Sequence, residues 1–431
     1  MGSESVLAWL RPFLLIAKFL GLFPLENVHS VGQESKDVLQ FRALSAATVY
    51  SILFLPIMLG CIFTIIIKLN YWNLSVMLAD DIATKCMVGI VIVSFIVSYL
   101  GMWINVSRYP AFLERLRWME ERIGVDAKEG RPLKRVGGFM LSSYAIIFLI
   151  IALGTSVDVI FHDNPIKEKV LYMTGNFTFY VLLVASLTPE LIFVYMCHVL
   201  RIYSVHLLQD LSKKLKLHST AKRDVPLSTL TLCQKISTIT VPDTDSEIQI
   251  SVQKARVHFV EISSLADTLS GLHSPGLLLI FLCNSVMATV TLYLGASAIL
   301  REDWGVSLCG FSGAFVSLFR MGHVTLAAGN IGTQTQAKLK EISTTSGTQL
   351  SDRLSQQIIL FELQMSSHPV KLTASDYFTL DKGVMTSVFG TIVTYLILLL
   401  QFRIEEAMDK DPAATPGSNS SSLASDSSHV P

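Results

Sequence analysis

Two charged residues stand inside stretches that are otherwise apolar: Glu190 in VLLVASLTPELIFVYMCHVL and Arg320 in GFSGAFVSLFRMGHV. An ionised side chain in hydrocarbon is costly, so such residues pair with one another or face water. Each lies in the inner half of its segment, and the two segments run in the same direction. A Glu190–Arg320 ion pair is expected, structural rather than ligand-binding. Asp158 stands at the outer end of a further apolar segment, either solvated there or turned toward a ligand.

A second pattern is Tyr172, Asn176 and Tyr180, spaced i, i+4 and i+8 and therefore close to one helix face. With Tyr293, Trp304 and Ser312 on the outer halves of other apolar segments, they combine aromatic walls with a few polar groups. That is the make-up of a small-molecule pocket between helices. Tyr and Trp also serve as anchors at the membrane interface, and both readings stand. A third stretch, TYLILLLQF, runs from Thr394 to Phe402. Thr394, Ile397 or Leu398, and Gln401 share a helical face, with Tyr395, Leu398 and Phe402 beside it. An amide such as Gln401 in a membrane needs a partner or water.

Nothing else in the chain has catalytic spacing. There is no phosphate-binding glycine loop, no His-Glu-x-x-His and no nucleophile elbow. The ten histidines are dispersed, and the six cysteines make no CxxC or Cys/His metal spacing. An enzyme is disfavoured, and no cofactor or metal is expected.

The elements that must position these residues are membrane helices. Of 431 residues, 51% are hydrophobic and only 16% charged, against about 25% charged in soluble domains. The zero net charge gives no argument for nucleic acid. Spans of about 20 apolar residues are predicted at 43–67, 86–106, 138–160, 170–200, 275–300, 305–329 and 383–402. Pro189 should kink the fourth span or mark its passage beyond the membrane. With the N-terminus inside, the inner segments hold 26 Lys and Arg against 7 outside. The short loop 107–137 alone favours that orientation, and seven spans then put the C-terminus outside. G-protein-coupled receptors have the opposite orientation. Their Asp-Arg-Tyr-like and Asn-Pro-x-x-Tyr marks are also absent from the expected places. The lack of an internal repeat disfavours a transporter.

The inner loops carry charged helices at 107–129, 247–270 and 333–366, expected to prolong the spans and pack together inside the cell. In the last, Leu354, Ile358, Phe361 and Met365 form an apolar stripe. Residues 6–24 read as an amphipathic helix lying near the membrane surface, not as a signal peptide. Asn73 heads a sequon in an outer loop and is a glycosylation candidate, whereas the Asn105 sequon is predicted inside. The division is therefore 1–42, an inner N-terminal segment with its amphipathic helix; 43–329, a six-span bundle; 330–382, inner helices; 383–402, the last span; and 403–431, a low-complexity tail, disordered and outside.

The ending Thr394-Tyr395, five hydrophobic residues, Gln401-Phe402 resembles the carboxy-terminal signature of the insect gustatory receptor family. The preceding Phe378-Thr379-Leu380-Asp381 and the Thr386-Ser387 pair also look like that family. The motif is short but closes the seventh span of an inverted seven-span chain. Elsewhere the resemblance rests on length, topology and the charged inner helices. It implies an all-α, homotetrameric or heterotetrameric, ligand-gated cation channel in the plasma membrane of sensory neurons, opened by a small-molecule tastant. It implies a central pore lined by four copies of span seven, with Gln401 and Phe402 at the outer constriction and Thr394 and Tyr395 deeper. A ring of four Phe side chains can gate by dewetting. Two features depart from the family. Sweet-sensing members carry Glu after Thr-Tyr, where this chain has Leu396, so a bitter or other non-sweet ligand is expected ahead of a sugar. The 29 residues after Phe402 also exceed the usual ending.

Overall fold

The computed structural model describes residues 6–31, 40–42, 45–71, 78–125, 133–142, 145–146, 149, 166–223, 244–346 and 351–410. Its long elements are α1 (Arg11–Phe19), α2 (Ala46–Tyr71), α3 (Leu78–Asn105), α4 (Tyr109–Ile123), α5 (Ile166–Arg223), α6 (Thr244–Leu300), α7 (Trp304–Ser346), α8 (Asp352–Ser367) and α9 (Lys382–Lys410). A two-stranded antiparallel hairpin, β1 (Thr373–Ala374) and β2 (Phe378–Thr379), precedes α9. Six helices are long and apolar enough to cross a membrane. Most of the third sequence-predicted span, 138–160, lies outside the described residues, though 133–142 are helical.

The spans do not stop at the membrane edge. α5 has 58 residues and α6 has 57, each over 80 Å long at about 1.5 Å per residue. Pro189 and Pro275 lie inside these helices without ending them. Charged residues follow the apolar part of α5 and precede that of α6, while good helix formers keep the backbone regular. In α5 and α6 the apolar and charged portions thus form one continuous helix, unlike the passage from α3 to α4. There a single 3-10 turn, Val106–Arg108, redirects the chain into α4.

The core sits around the inner half of α5. Every residue from 185 to 200 is buried. A helix apolar all round belongs in such a centre. In contrast, α2 leaves Ile52, Leu53, Ile57 and Phe63 more than half exposed, as a lipid-facing helix should.

The N-terminal segment is not a free surface helix. Val6, Leu10, Phe13, Leu14, Leu22 and Phe23 are almost wholly buried in the protein. The Val6 N–H donates to Glu120 Oε1 of α4 at 2.6 Å, and Tyr195 donates to the Val6 carbonyl at 2.8 Å. Tyr203 donates to the second Glu120 oxygen at 3.3 Å. The amphipathic face read as membrane-facing is spent on the bundle, because α1, α4 and α5 present matching apolar surface. The chain leaves α1 through Gly21 at φ +67, with Phe54 packed within 3.0 Å of where a Cβ would stand. That left-handed, crowded position suits glycine.

Candidate functional site: the terminal helix and its supports

α9 starts from a fixed point. Asp381 Oδ1 accepts the N–H groups of Gly383 at 2.8 Å and Val384 at 3.3 Å, satisfying orphan donors of the first turn. Thr379 donates to the other carboxylate oxygen at 3.1 Å. The Thr379 hydroxyl, with the Val384 N–H, holds the Asp381 carboxyl below the ordinary carboxylate range. Just upstream, Ser375 and Asp376 both adopt positive φ, 52° and 58°. Tyr377 N–H closes the turn on the Ala374 carbonyl at 3.1 Å, giving a mirror-image turn that matches strand twist. The hairpin hooks onto α6: Thr373 N–H donates to Ser270 Oγ at 3.2 Å, and Ser375 N–H donates to Ser274 Oγ.

From there α9 touches its own bundle along one stripe. Ile392 is 1% exposed, and Leu396, Leu399 and Leu400 pack against Ala83, Val290 and Tyr293. Arg403 is buried and donates from Nε to Ser297 Oγ of α6 at 3.2 Å. At about 100° per residue, Ile392, Leu396, Leu399 and Arg403 fall within roughly 60° of arc. Thr394, Leu398 and Gln401 lie about 180–240° away from Ile392 on the same wheel, and all three are exposed. Tyr395 and Phe402, 57% and 63% exposed, flank them. Only 6% of the apolar window of α9 is buried, so this helix lays almost its whole surface open to lipid or to a partner. Arg403 sets the rotation of its outer end. Its spacing of four from Leu399 and seven from Leu396 puts it on their face of the helix, but as an arginine it does not register in the apolar pattern.

The other nominated residues divide. Arg320 and Glu190 meet as a bidentate pair, with Arg320 Nε 3.0 Å from Glu190 Oε2 and the second guanidinium nitrogen on Oε1. Both side chains are almost fully buried, so the fork geometry of arginine satisfies both carboxylate oxygens at once. Glu190 borders a small, mostly apolar gap whose polar lining residues include Ser98, Asn105 and His273. Asn105 donates to the Leu272 carbonyl at 2.9 Å, and its 6% exposure leaves no room for a glycan. His273 pairs with the Tyr109 hydroxyl at 2.9 Å.

The residues nominated for a ligand pocket are described only in part. Tyr293 is buried at 1% exposure beneath α9, next to Leu396 and Leu399. Trp304 stands 71% exposed at the outer start of α7. Ser312 donates to the Cys309 carbonyl at 2.9 Å within its own helix. Asn176 and Tyr180 are on α5, with side chains outside the described residues. Asp158 and Asn73 lie outside them altogether.

Long helices, a buried intramembrane ion pair and an apolar last helix held along one stripe define a polytopic, all-helical membrane protein. The chain belongs to the family described as 7tm Chemosensory receptor, whose model matches residues 10–406. It is 32% identical over 114 residues to the Gustatory and pheromone receptor 39a, isoform D, of Drosophila melanogaster. That match takes in 26% of this chain and 29% of the receptor's length. The fold is that of the insect olfactory receptor OR5 from Machilis hrabei. In its complex with eugenol that receptor superposes with a TM-score of 0.63 at 16% identity, covering 91% of this chain and 98% of that one. The same receptor without that description of a ligand matches with a TM-score of 0.63 at 15% identity.

Proposed function

We propose that this chain is a subunit of a ligand-gated cation channel, opened by a small-molecule tastant outside the sweet-sensing group. Four copies, identical or mixed with related receptors, surround one pore in the plasma membrane of sensory neurons, N-terminus inside. The observation that carries this reading is the free face of α9. In a single subunit Thr394, Leu398, Gln401 and Phe402 are all exposed. Around a four-fold axis that face closes on itself, bringing together a ring of amides and a ring of aromatics. Amides line water, and apolar rings exclude it. The buried stripe ending in Arg403 keeps each copy oriented toward its own bundle. The fold shared with a receptor described in complex with eugenol supports a small organic ligand, and Leu396 in place of Glu supports a non-sweet one. Asp158, Asn176 and Tyr180, with Trp304 and Ser312 on the outer side, remain the residues proposed to meet it. Tyr293 is better placed to relay its presence, because it touches α9 directly.

The test is patch recording from cells expressing the chain with a panel of bitter compounds and sugars. The expected result is a ligand-evoked cation current that survives G-protein blockade. A response abolished by that blockade would assign the chain to the G-protein-coupled class instead.

A further inference from the structure

We propose that the turn of α6 ending at Pro275 is a hinge, that Asn105 of α3 is its latch, and that bending there moves α9. A proline inside a helix removes the hydrogen bond to the carbonyl four residues earlier, here Gly271, so the backbone is one bond short at that turn. The residues between Gly271 and Pro275 are each held by a different element. The Asn105 side-chain amide donates to the Leu272 carbonyl at 2.9 Å. The Tyr109 hydroxyl of α4 and the His273 ring share a hydrogen bond at 2.9 Å. Ser274 Oγ accepts from the Ser375 N–H of the hairpin and donates to Ser375 Oγ at 3.1 Å. α3 meets the proline of α5 in a similar way. Ser98, seven residues before Asn105 and so on the same face, donates to the Ser186 carbonyl at 3.4 Å, three residues before Pro189. Side-chain donors of this kind are how membrane helices tolerate proline. Between the three helices lies a gap of about 30 Å³, with Pro189 and Pro275 both in its lining. A Cβ on Gly101, in the same lining, would meet nothing within 4 Å. On this side the proline turns have room to move.

The turn matters because of where α9 is tied. Before Pro275, Ser270 and Ser274 hold the hairpin that leads into α9. After Pro275, Phe281 packs edge-on against Phe378 of the hairpin, with ring centroids 5.6 Å apart. Further along α6, Val290 and Tyr293 pack against Leu396 and Leu399, and Ser297 accepts from Arg403 at 3.2 Å. The attachments of α9 and its hairpin therefore straddle the hinge. A change in the angle between the two parts of α6 cannot keep all of them unless α9 shifts as well. Asn105 is thus a positioning residue: it acts on α9 through the turn of α6 that it holds. The link to gating rests on the pore proposed for α9, whereas the hinge and its latch do not.

The experiment compares amide hydrogen exchange, read by mass spectrometry, in the purified full chain in detergent and in two variants. Asn105→Ala removes the latch and should speed exchange about fivefold or more in residues 268–280 and 372–384, leaving residues 310–340 of α7 unchanged. Pro275→Ala supplies an N–H for the Gly271 carbonyl, so it should slow exchange over 268–280 and raise Tm. In cells, at equal surface expression, the Pro275→Ala channel should lose most of its ligand-evoked current although it is the more stable protein. A proline with a merely structural role would not separate stability from current in this way. Faster exchange spread evenly over all helices in Asn105→Ala, or unchanged exchange over 268–280 in both variants, would overturn the hinge. Undiminished current in a stabilised Pro275→Ala channel would overturn its link to α9. If the unaltered chain passes no ligand-evoked current, the channel reading fails while the exchange measurement still decides the hinge.

Discussion

Replacing Arg320 by Ala should strand Glu190 as a buried, uncompensated carboxylate, at a cost of about 3–5 kcal/mol. The pair is bidentate and both side chains are shut away from solvent. No other cation among the described residues forms an ion pair with Glu190 in its place. The two residues stand on different helices, α5 and α7, so the stranded charge lies at a helix–helix contact. The loss should appear as a collapse in the yield of monodisperse detergent-solubilised protein and a lower Tm for what remains. The double variant Glu190→Gln/Arg320→Met should recover most of it, because removing both charges removes the desolvation cost as well. If the double variant were as damaged as the single one, the pair would have a role beyond charge compensation. If Arg320→Ala were as stable as the original, the burial of the pair would be wrong.

Gly310→Val should be the most damaging substitution at the outer end of the bundle. A Cβ at Gly310 would stand 2.6 Å from the Gly295 nitrogen, 2.7 Å from its Cα and 2.8 Å from the Thr291 carbonyl oxygen. All three are backbone atoms, so no side chain can turn aside, and α6 and α7 would have to separate. Close crossing through small residues is how membrane helices gain packing where the hydrophobic effect gives them none. Overpacking of this kind costs about 1–3 kcal/mol and sometimes more. The consequence should reach α9, because Ser297, two residues beyond Gly295, receives the hydrogen bond from Arg403. The measurement is Tm together with basal current: a lowered Tm and an altered leak are expected. Gly138→Val, where a Cβ meets nothing within 4 Å, should leave both nearly unchanged.

Hydropathy made the long apolar spans legible because a membrane imposes a length of about 20 residues on any helix that crosses it. Glu190 and Arg320 stood out as charges within two apolar segments, and the structure joins them. Three features were not legible. The burial of residues 6–25 depends on surface offered by α4 and α5, which no local pattern reports; amphipathicity says only that one face seeks an apolar neighbour. The hairpin before α9 is two residues per strand, too short for period-two alternation. Its turn uses Ser375 and Asp376 where glycine or asparagine would have signalled it. Arg403 looked like a solvated residue after the last span, yet it is 5% exposed. Helical spacing put Thr394, Leu398 and Gln401 on one face with Phe402 beside it, and the family resemblance implied their place in a pore. The structure adds that this group lies opposite the stripe by which α9 holds its own bundle.

The most direct measurement of the central proposal is cysteine accessibility along α9 in the conducting protein. Cysteine would be placed singly at Thr394, Leu398 and Gln401 on the free face, and at Ile392 and Leu399 on the buried stripe. A charged, membrane-impermeant thiol reagent would then be applied during ligand-evoked current. Modification should change the current at Leu398 and Gln401, and at Thr394 once the channel is open, and should leave Ile392 and Leu399 silent. Modification at Ile392 and Leu399 with no effect at Leu398 and Gln401 would contradict a pore lined by this face of α9.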